Sequence, residues 1–174
     1  MYIRNYSEEA DLPWTEVFQT DDRARVEEFC REAGIEFTWK DGNRLRTRQT
    51  CQAVARHPAN GKMLWFNQAH LFHVSSLDPE TRQAMVSLFG EDGLPRDARF
   101  GDGDEIPLED LEEIRKAYHA EQILFPWEEG DVLLLDNMAV THGRTPYRGE
   151  RKIRVGMSDP VGQHQIETLP SEFN

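Results

Sequence analysis

Two side chains in the last third of this sequence have the types and spacing for metal and carboxylate chemistry. His142 follows the apolar run Val132-Leu133-Leu134-Leu135 and the pair Asp136-Asn137, and Arg151 stands nine residues beyond it, at the head of Arg151-Lys152-Ile153-Arg154-Val155. A neutral imidazole is a good ligand for iron. An arginine fork grips a carboxylate through two parallel hydrogen bonds. The apolar run reads as a strand buried on both faces that delivers His142. Pro146 and Gly149 suit a short turn, after which a second strand would bring Arg151 to the same interior. Arg154 is the other arginine for that role, and strand alternation sends positions 151 and 154 to opposite faces, so only one points inward. The plainer alternative for His142 is a structural histidine beside a buried strand.

Other histidines compete for attention. His119-Ala120-Glu121 is the one His-x-Asp/Glu sequence in the chain. It ends a predicted helix, where positions i and i+2 point about 200° apart and do not easily share a metal. His70 and His73 stand at i, i+3 spacing. With His142 they would build a three-histidine metal site; otherwise Leu71 and Phe72 pack their segment, and the histidines are hydrogen-bonded or line a pocket rim. His57, beside Pro58, reads as a turn residue, and His164 lies in the tail. Arg46, Arg48 and Gln49 form a polar strand face, either simply exposed or contacting an anionic substrate. Arg144 would shield the site or pair with Asp136, while Trp65 and Phe66 read as core.

The elements that must position these residues are short. Met1 to Tyr6 reads as a strand. Thr20 or Asp21 caps a helix that carries Val26, Phe29 and Cys30 at helical spacing and stops at Gly34. Ile35 to Lys40 is a strand, Asp41-Gly42-Asn43 a turn, and Leu45 to Ala55 a strand in which Leu45, Thr47, Gln49 and Cys51 alternate with Arg46, Arg48 and Thr50. His57 to Gly61 is a turn and Met63 to Asn67 a short strand. Asp78-Pro79 starts a helix running to about Phe89. Pro95 to Pro107 reads as loop. Leu108 to Glu121 is an amphipathic helix with Leu108, Leu111, Ile114 and Tyr118 on one side. Ile123 to Trp127, Asp131 to Asn137 and Lys152 to Met157 complete the strands. The fold class is therefore mainly β with helical insertions, a double-stranded β-helix or jelly roll of which only the C-terminal part is legible. Residues 1–159 form that portion and residues 160–174 a polar tail.

Composition narrows the partners. The chain has 174 residues and a net charge of −12, which argues against a nucleic-acid backbone as partner. Its apolar runs are too short to span a bilayer, and no secretory leader pattern opens it. Cys30 and Cys51 are the two cysteines, with no CxxC, as expected for reduced thiols in a cytoplasmic protein.

The ordered set of Trp14 to Thr20, Leu45 to Gln49, Trp65 to Gln68, Gly101-Asp102-Gly103, Gly130 to Asn137 and His142 to Arg144 resembles the taurine dioxygenase-like family of Fe(II)/2-oxoglutarate-dependent oxygenases. The nearest likeness is to its syringomycin-biosynthesis-type and clavaminate synthase-like branch. The resemblance spans about Tyr2 to Asp159. It implies that His142 is the distal histidine of an iron site, and that Arg151, or else Arg154, binds the far carboxylate of 2-oxoglutarate. It implies hydroxylation of a small molecule, an amino acid free or tethered to a carrier. The upstream His-x-Asp/Glu ligands of that family have no counterpart here. The site therefore calls for an N-terminal half or a second copy to complete the barrel; the alternative is a non-catalytic half-barrel that binds or dimerises.

Overall fold

The computed structural model describes residues 1–9, 11–150, 152–162 and 165–168. The chain divides into two compact units. One comprises residues 1–51 and 68–123; the other comprises residues 52–67 and the described residues from 124 onward.

The first unit is built on a four-stranded antiparallel sheet. Its strands are β1 (Tyr2–Tyr6), β2 (Glu36–Lys40), β3 (Arg44–Gln49) and β6 (Arg96–Ala98), in the order β2-β3-β1-β6. Alternation in β3 sets the faces: Leu45 and Thr47 are buried, and Arg44 and Arg48 are exposed. Register places Leu45 between Tyr6 and Trp39, all on the inner face. Helices α1 (Trp14–Val17) and α2 (Arg23–Glu32) supply the rest of the core, in which Tyr6, Trp14, Val26, Cys30 and Leu45 cluster with Phe18, Phe37 and Trp39 at the margin. The indole rings of Trp14 and Trp39 meet edge-on at 5.1 Å. Both indoles are also tied by hydrogen bonds of 2.9 Å, Trp14 donating to the Asn43 carbonyl and Trp39 to the Glu27 carboxylate.

Helix α2 is capped by Asp22, one or two residues later than its sequence suggests. The Asp22 carboxylate accepts from the Ala24 amide at 2.8 Å, as a cap should. The helix stops at Gly34, where φ of +65° lets the Ile35 amide reach back to the Cys30 carbonyl at 2.8 Å. Helix α4 (Pro79–Phe89) starts as expected, with the Asp78 carboxylate accepting from the Thr81 amide. Helix α5 (Leu108–Ala120) buries Leu111 completely, while Leu108 at its first position stays half exposed.

The second unit contains the two-stranded sheet of β4 (Val54–Arg56) and β5 (Met63–Trp65), joined through the His57–Gly61 turn. The expected long strand from Leu45 to Ala55 is thus two strands, interrupted at residues 50–53. Three further expectations fail here. The segments Ile123 to Trp127, Asp131 to Asn137 and Lys152 to Met157 form no ladder among the described residues. The run Val132 to Leu135 is not buried on both faces, since Val132 is 92% and Leu134 94% exposed. A strand exists only beside another strand, and these segments have no paired neighbour among the described residues. The described architecture is therefore two antiparallel sheets mixed with helices. Among the described residues no helix is long and apolar enough to cross a membrane. Both cysteines are free thiols, and burial pushes each pKa up.

Candidate functional site

The turn that precedes His142 is held by a buried histidine from elsewhere in the second unit. His57 opens the β4–β5 connection. Its amide donates to the Lys62 carbonyl at 2.8 Å, and its carbonyl accepts from Gly61, whose φ of +69° closes the turn. Its ring Nδ1 accepts from the Ala59 amide at 3.2 Å, so the ring proton of the neutral imidazole sits on Nε2. That Nε2 meets the Asp136 carboxylate at 2.7 Å. The other carboxylate oxygen of Asp136 accepts from the amides of Met138 and Ala139, at 3.1 and 3.3 Å. The Asp136 carbonyl accepts from Ala139 and Val140, both at 3.0 Å. Asp136 therefore organises the turn two residues ahead of His142. The His57 hydrogen bond, followed by that from the Met138 amide, holds its carboxyl pKa below the ordinary value.

His142 itself is exposed. Arg154 is exposed too, and Arg151 lies outside the described residues, as does His164. The structure thus describes the approach to His142. Arg144, expected to shield the site or pair with Asp136, sits over the Tyr147 ring at 5.6 Å, and Asp136 is engaged by His57. Two clues to this pairing are present in the sequence, namely the His57-Pro58 turn and the acid that ends the apolar run. The contact itself joins positions 79 residues apart, which no local pattern encodes.

The remaining histidines have structural environments. His70, in α3 (Ala69–Phe72), is buried and stacks on Tyr118 at 4.4 Å. Arg115 ties this short helix to α5 by donating to the His70 carbonyl and the Ser75 hydroxyl, both at 2.8 Å. Burial, with the charge of Arg115 behind it, lowers the His70 pKa, which keeps the ring neutral. His73 Nδ1 lies 2.8 Å from the Ser75 hydroxyl and accepts from the Ser75 amide. Among the described residues no three His, Cys, Asp or Glu side chains come close enough together to hold a metal. His70 and His73 lie in the first unit and His142 in the second. His119 lies exposed near the end of α5, with Glu121 following as the helix cap, so the His-x-Glu sequence is a helix end.

Residues 2–157 match the family model described as taurine catabolism dioxygenase TauD, TfdA family. The chain belongs to the TauD/TfdA dioxygenase family. It is similar to the dapdiamide synthesis protein DdaC of Enterobacter agglomerans, with 46% identity over 160 residues, covering 92% of this chain and 49% of that protein. It is also similar to a clavaminate synthase-like protein of Arabidopsis thaliana, with 26% identity over 162 residues, covering 88% of this chain and 45% of that protein. The chain spans about half the length of these curated relatives. The TauD/TfdA match includes the whole of the His57, Asp136 and His142 arrangement.

Iron held by a facial triad needs two imidazoles and a carboxylate. The described residues do not by themselves fit that group, because His142 has no second and third ligand among them.

Proposed function

We propose that this chain is the C-terminal, jelly-roll portion of an Fe(II)/2-oxoglutarate-dependent oxygenase that hydroxylates a small molecule. The observation that carries this reading is the anchored turn from Asp136 to Val140, inside the family match, which leads directly to His142. In this reading residues 1–159 form the oxygenase portion and residues 160–174 a polar tail, in a cytoplasmic enzyme. His142 is the distal iron ligand. The far carboxylate of 2-oxoglutarate is held by Arg151 or Arg154. The other two iron ligands come from outside this sequence, in an N-terminal half or a second copy. The proposed substrate is an amino acid, free or tethered to a carrier; the 46% identical relative is named a dapdiamide synthesis protein.

A second reading has its own observation. The lack of a three-ligand cluster among the described residues favours a non-catalytic module that binds or dimerises through the same fold. One experiment separates the two. Fe(II) and 2-oxoglutarate are titrated without oxygen into this chain alone, and into this chain mixed with the N-terminal half of DdaC. A metal-to-ligand charge-transfer band in the mixture, lost in His142→Ala, is the expected result. A band from the chain alone would place all ligands within it or in a second copy of it. No band in either well-folded sample, or a band indifferent to His142→Ala, would overturn the oxygenase reading. Arg151→Ala and Arg154→Ala then identify the cosubstrate arginine, as the variant that weakens 2-oxoglutarate binding while sparing iron.

A further inference from the structure

The outer face of the sheet in the first unit carries positive charge that is out of keeping with a chain of net charge −12. Strand β3 turns Arg44, Arg46 and Arg48 away from the core, because Leu45 and Thr47 occupy the inner face. Strand β2 sets Glu36, Thr38 and Lys40 beside them through the pairs Glu36 with Arg48, Thr38 with Arg46, and Lys40 with Arg44. The last pair puts two cations directly opposite each other, an arrangement that destabilises a sheet.

Little on the protein offsets this charge. Glu36 faces Arg48 across the strands, and Arg46 donates to the Asp92 carbonyl at 3.2 Å and reaches its carboxylate at 3.4 Å. Among the described residues neither the Lys40 ammonium nor the Arg48 guanidinium makes a hydrogen bond. The Arg46 side chain is only 12% exposed, and its Nε–H is buried with no acceptor. A buried donor without an acceptor is costly, and the cost is relieved when a ligand oxygen arrives. Burial first, and then the charge of Arg46 beside it, lowers the pKa of Lys40. Glu36, Thr38, Lys40, Arg46 and Arg48 together line a groove of about 200 Å³.

We propose that this groove binds the oxyanion of a small molecule, a phosphate or a carboxylate group, between Lys40, Arg46 and Arg48. Planar guanidinium forks suit such an oxyanion, and an ammonium adds a compact charge. Thr38, also in the lining, offers a neutral hydroxyl. The assignment does not depend on the oxygenase reading, since none of these side chains belongs to the segment that carries His142.

The test titrates inorganic phosphate, and in a second arm succinate, into the full chain. Sodium chloride holds ionic strength constant, and backbone amide and arginine Nε–H signals are followed by NMR. The expected result is a saturable shift confined to β2 and β3 in at least one arm. Arg46→Gln should weaken it about tenfold, the equivalent of one lost charge-assisted hydrogen bond. Glu36→Gln should strengthen it. Saturation by phosphate alone assigns a phosphate-bearing ligand, and saturation by succinate alone a carboxylate. Lys40→Gln, more exposed and less demanding of the fold, repeats the test should Arg46→Gln unfold. Shifts that stay linear in both arms, or an affinity unchanged in both Lys40→Gln and Arg46→Gln, would overturn the proposal.

Discussion

Replacing Leu45 with alanine tests whether β3 hides one face and shows the other. Leu45 is 1% exposed and lies between Tyr6 and Trp39, in a cluster that includes Trp14. The substitution removes three buried carbons, about 2.4 kcal/mol at roughly 0.8 kcal/mol per methylene. The cavity adds to this, because the neighbours cannot close over it. Trp14 is tied to the Asn43 carbonyl and Trp39 to Glu27, so both rings are held in place. A residual void of about 60 Å³ at roughly 24 cal/mol per Å³ contributes about 1.5 kcal/mol more. The expected loss is about 4 kcal/mol, a large fraction of the roughly 5–15 kcal/mol that stabilises a domain. Urea unfolding followed by tryptophan fluorescence, in a background where Trp65 and Trp127 are phenylalanine, reads Trp14 and Trp39 alone. At a slope near 2 kcal/mol per molar, the midpoint should fall by roughly 2 M. Arg44→Ala, one residue away on the outer face, should change stability by no more than about 0.5 kcal/mol. A loss below about 1.5 kcal/mol for Leu45→Ala, or a larger one for Arg44→Ala, would refute the assignment of faces.

Two further predictions concern ionised groups. Burial by itself raises the Asp11 pKa, but hydrogen bonds from Arg96 and the charges of Arg4 and Arg96 outweigh it and hold the carboxyl below its ordinary value. A carboxyl depressed in the folded state contributes stability that is complete above its unfolded pKa of about 3.9 and is lost as pH falls through the folded value. Asp11→Asn should therefore destabilise the chain by about 2 kcal/mol at neutral pH, and the gap should close below about pH 4; a gap independent of pH in acid titrations would contradict the pairing. His57→Ala should let the Asp136 carboxyl titrate closer to its ordinary value and speed amide exchange at Met138 and Ala139, both readable by NMR. An unchanged Asp136 titration would show that His57 does not anchor the turn.

What the sequence made legible follows from the range of the forces involved. Strand β3 and helix α2 are written locally, one in the alternation of Leu45 and Thr47 with arginines, the other in an acidic cap and the glycine at position 34. Strand β6 lies in a stretch whose sequence reads as loop. Arg96-Asp97-Ala98 has no apolar alternation of its own and is a strand only because β1 lies alongside it. The C-terminal strands fail for the converse reason. Val132 to Leu135 has the composition of a buried strand, but composition states what a segment can bury, not what stands next to it. The likeness to the dioxygenase family was carried by an ordered set of short motifs, which survive where periodicity is ambiguous. The His57–Asp136 bond joins two turns that no single stretch of sequence contains, so no local pattern announces it.

The central place of β1 has a consequence for how the chain is made. Met1 and Arg99, 98 residues apart, exchange hydrogen bonds in both directions where β1 meets β6. At a synthesis rate of roughly 5–20 residues per second, β1 waits on the order of 5–20 s for the strand that covers its second edge. During that interval β3 can pair with one side of β1, while the other side keeps its amides and carbonyls open to any passing strand. The most aggregation-prone moment in the life of this molecule should therefore fall before residues 96–98 leave the ribosome. A stalled or truncated chain ending in α4 should be less soluble than one that includes β6.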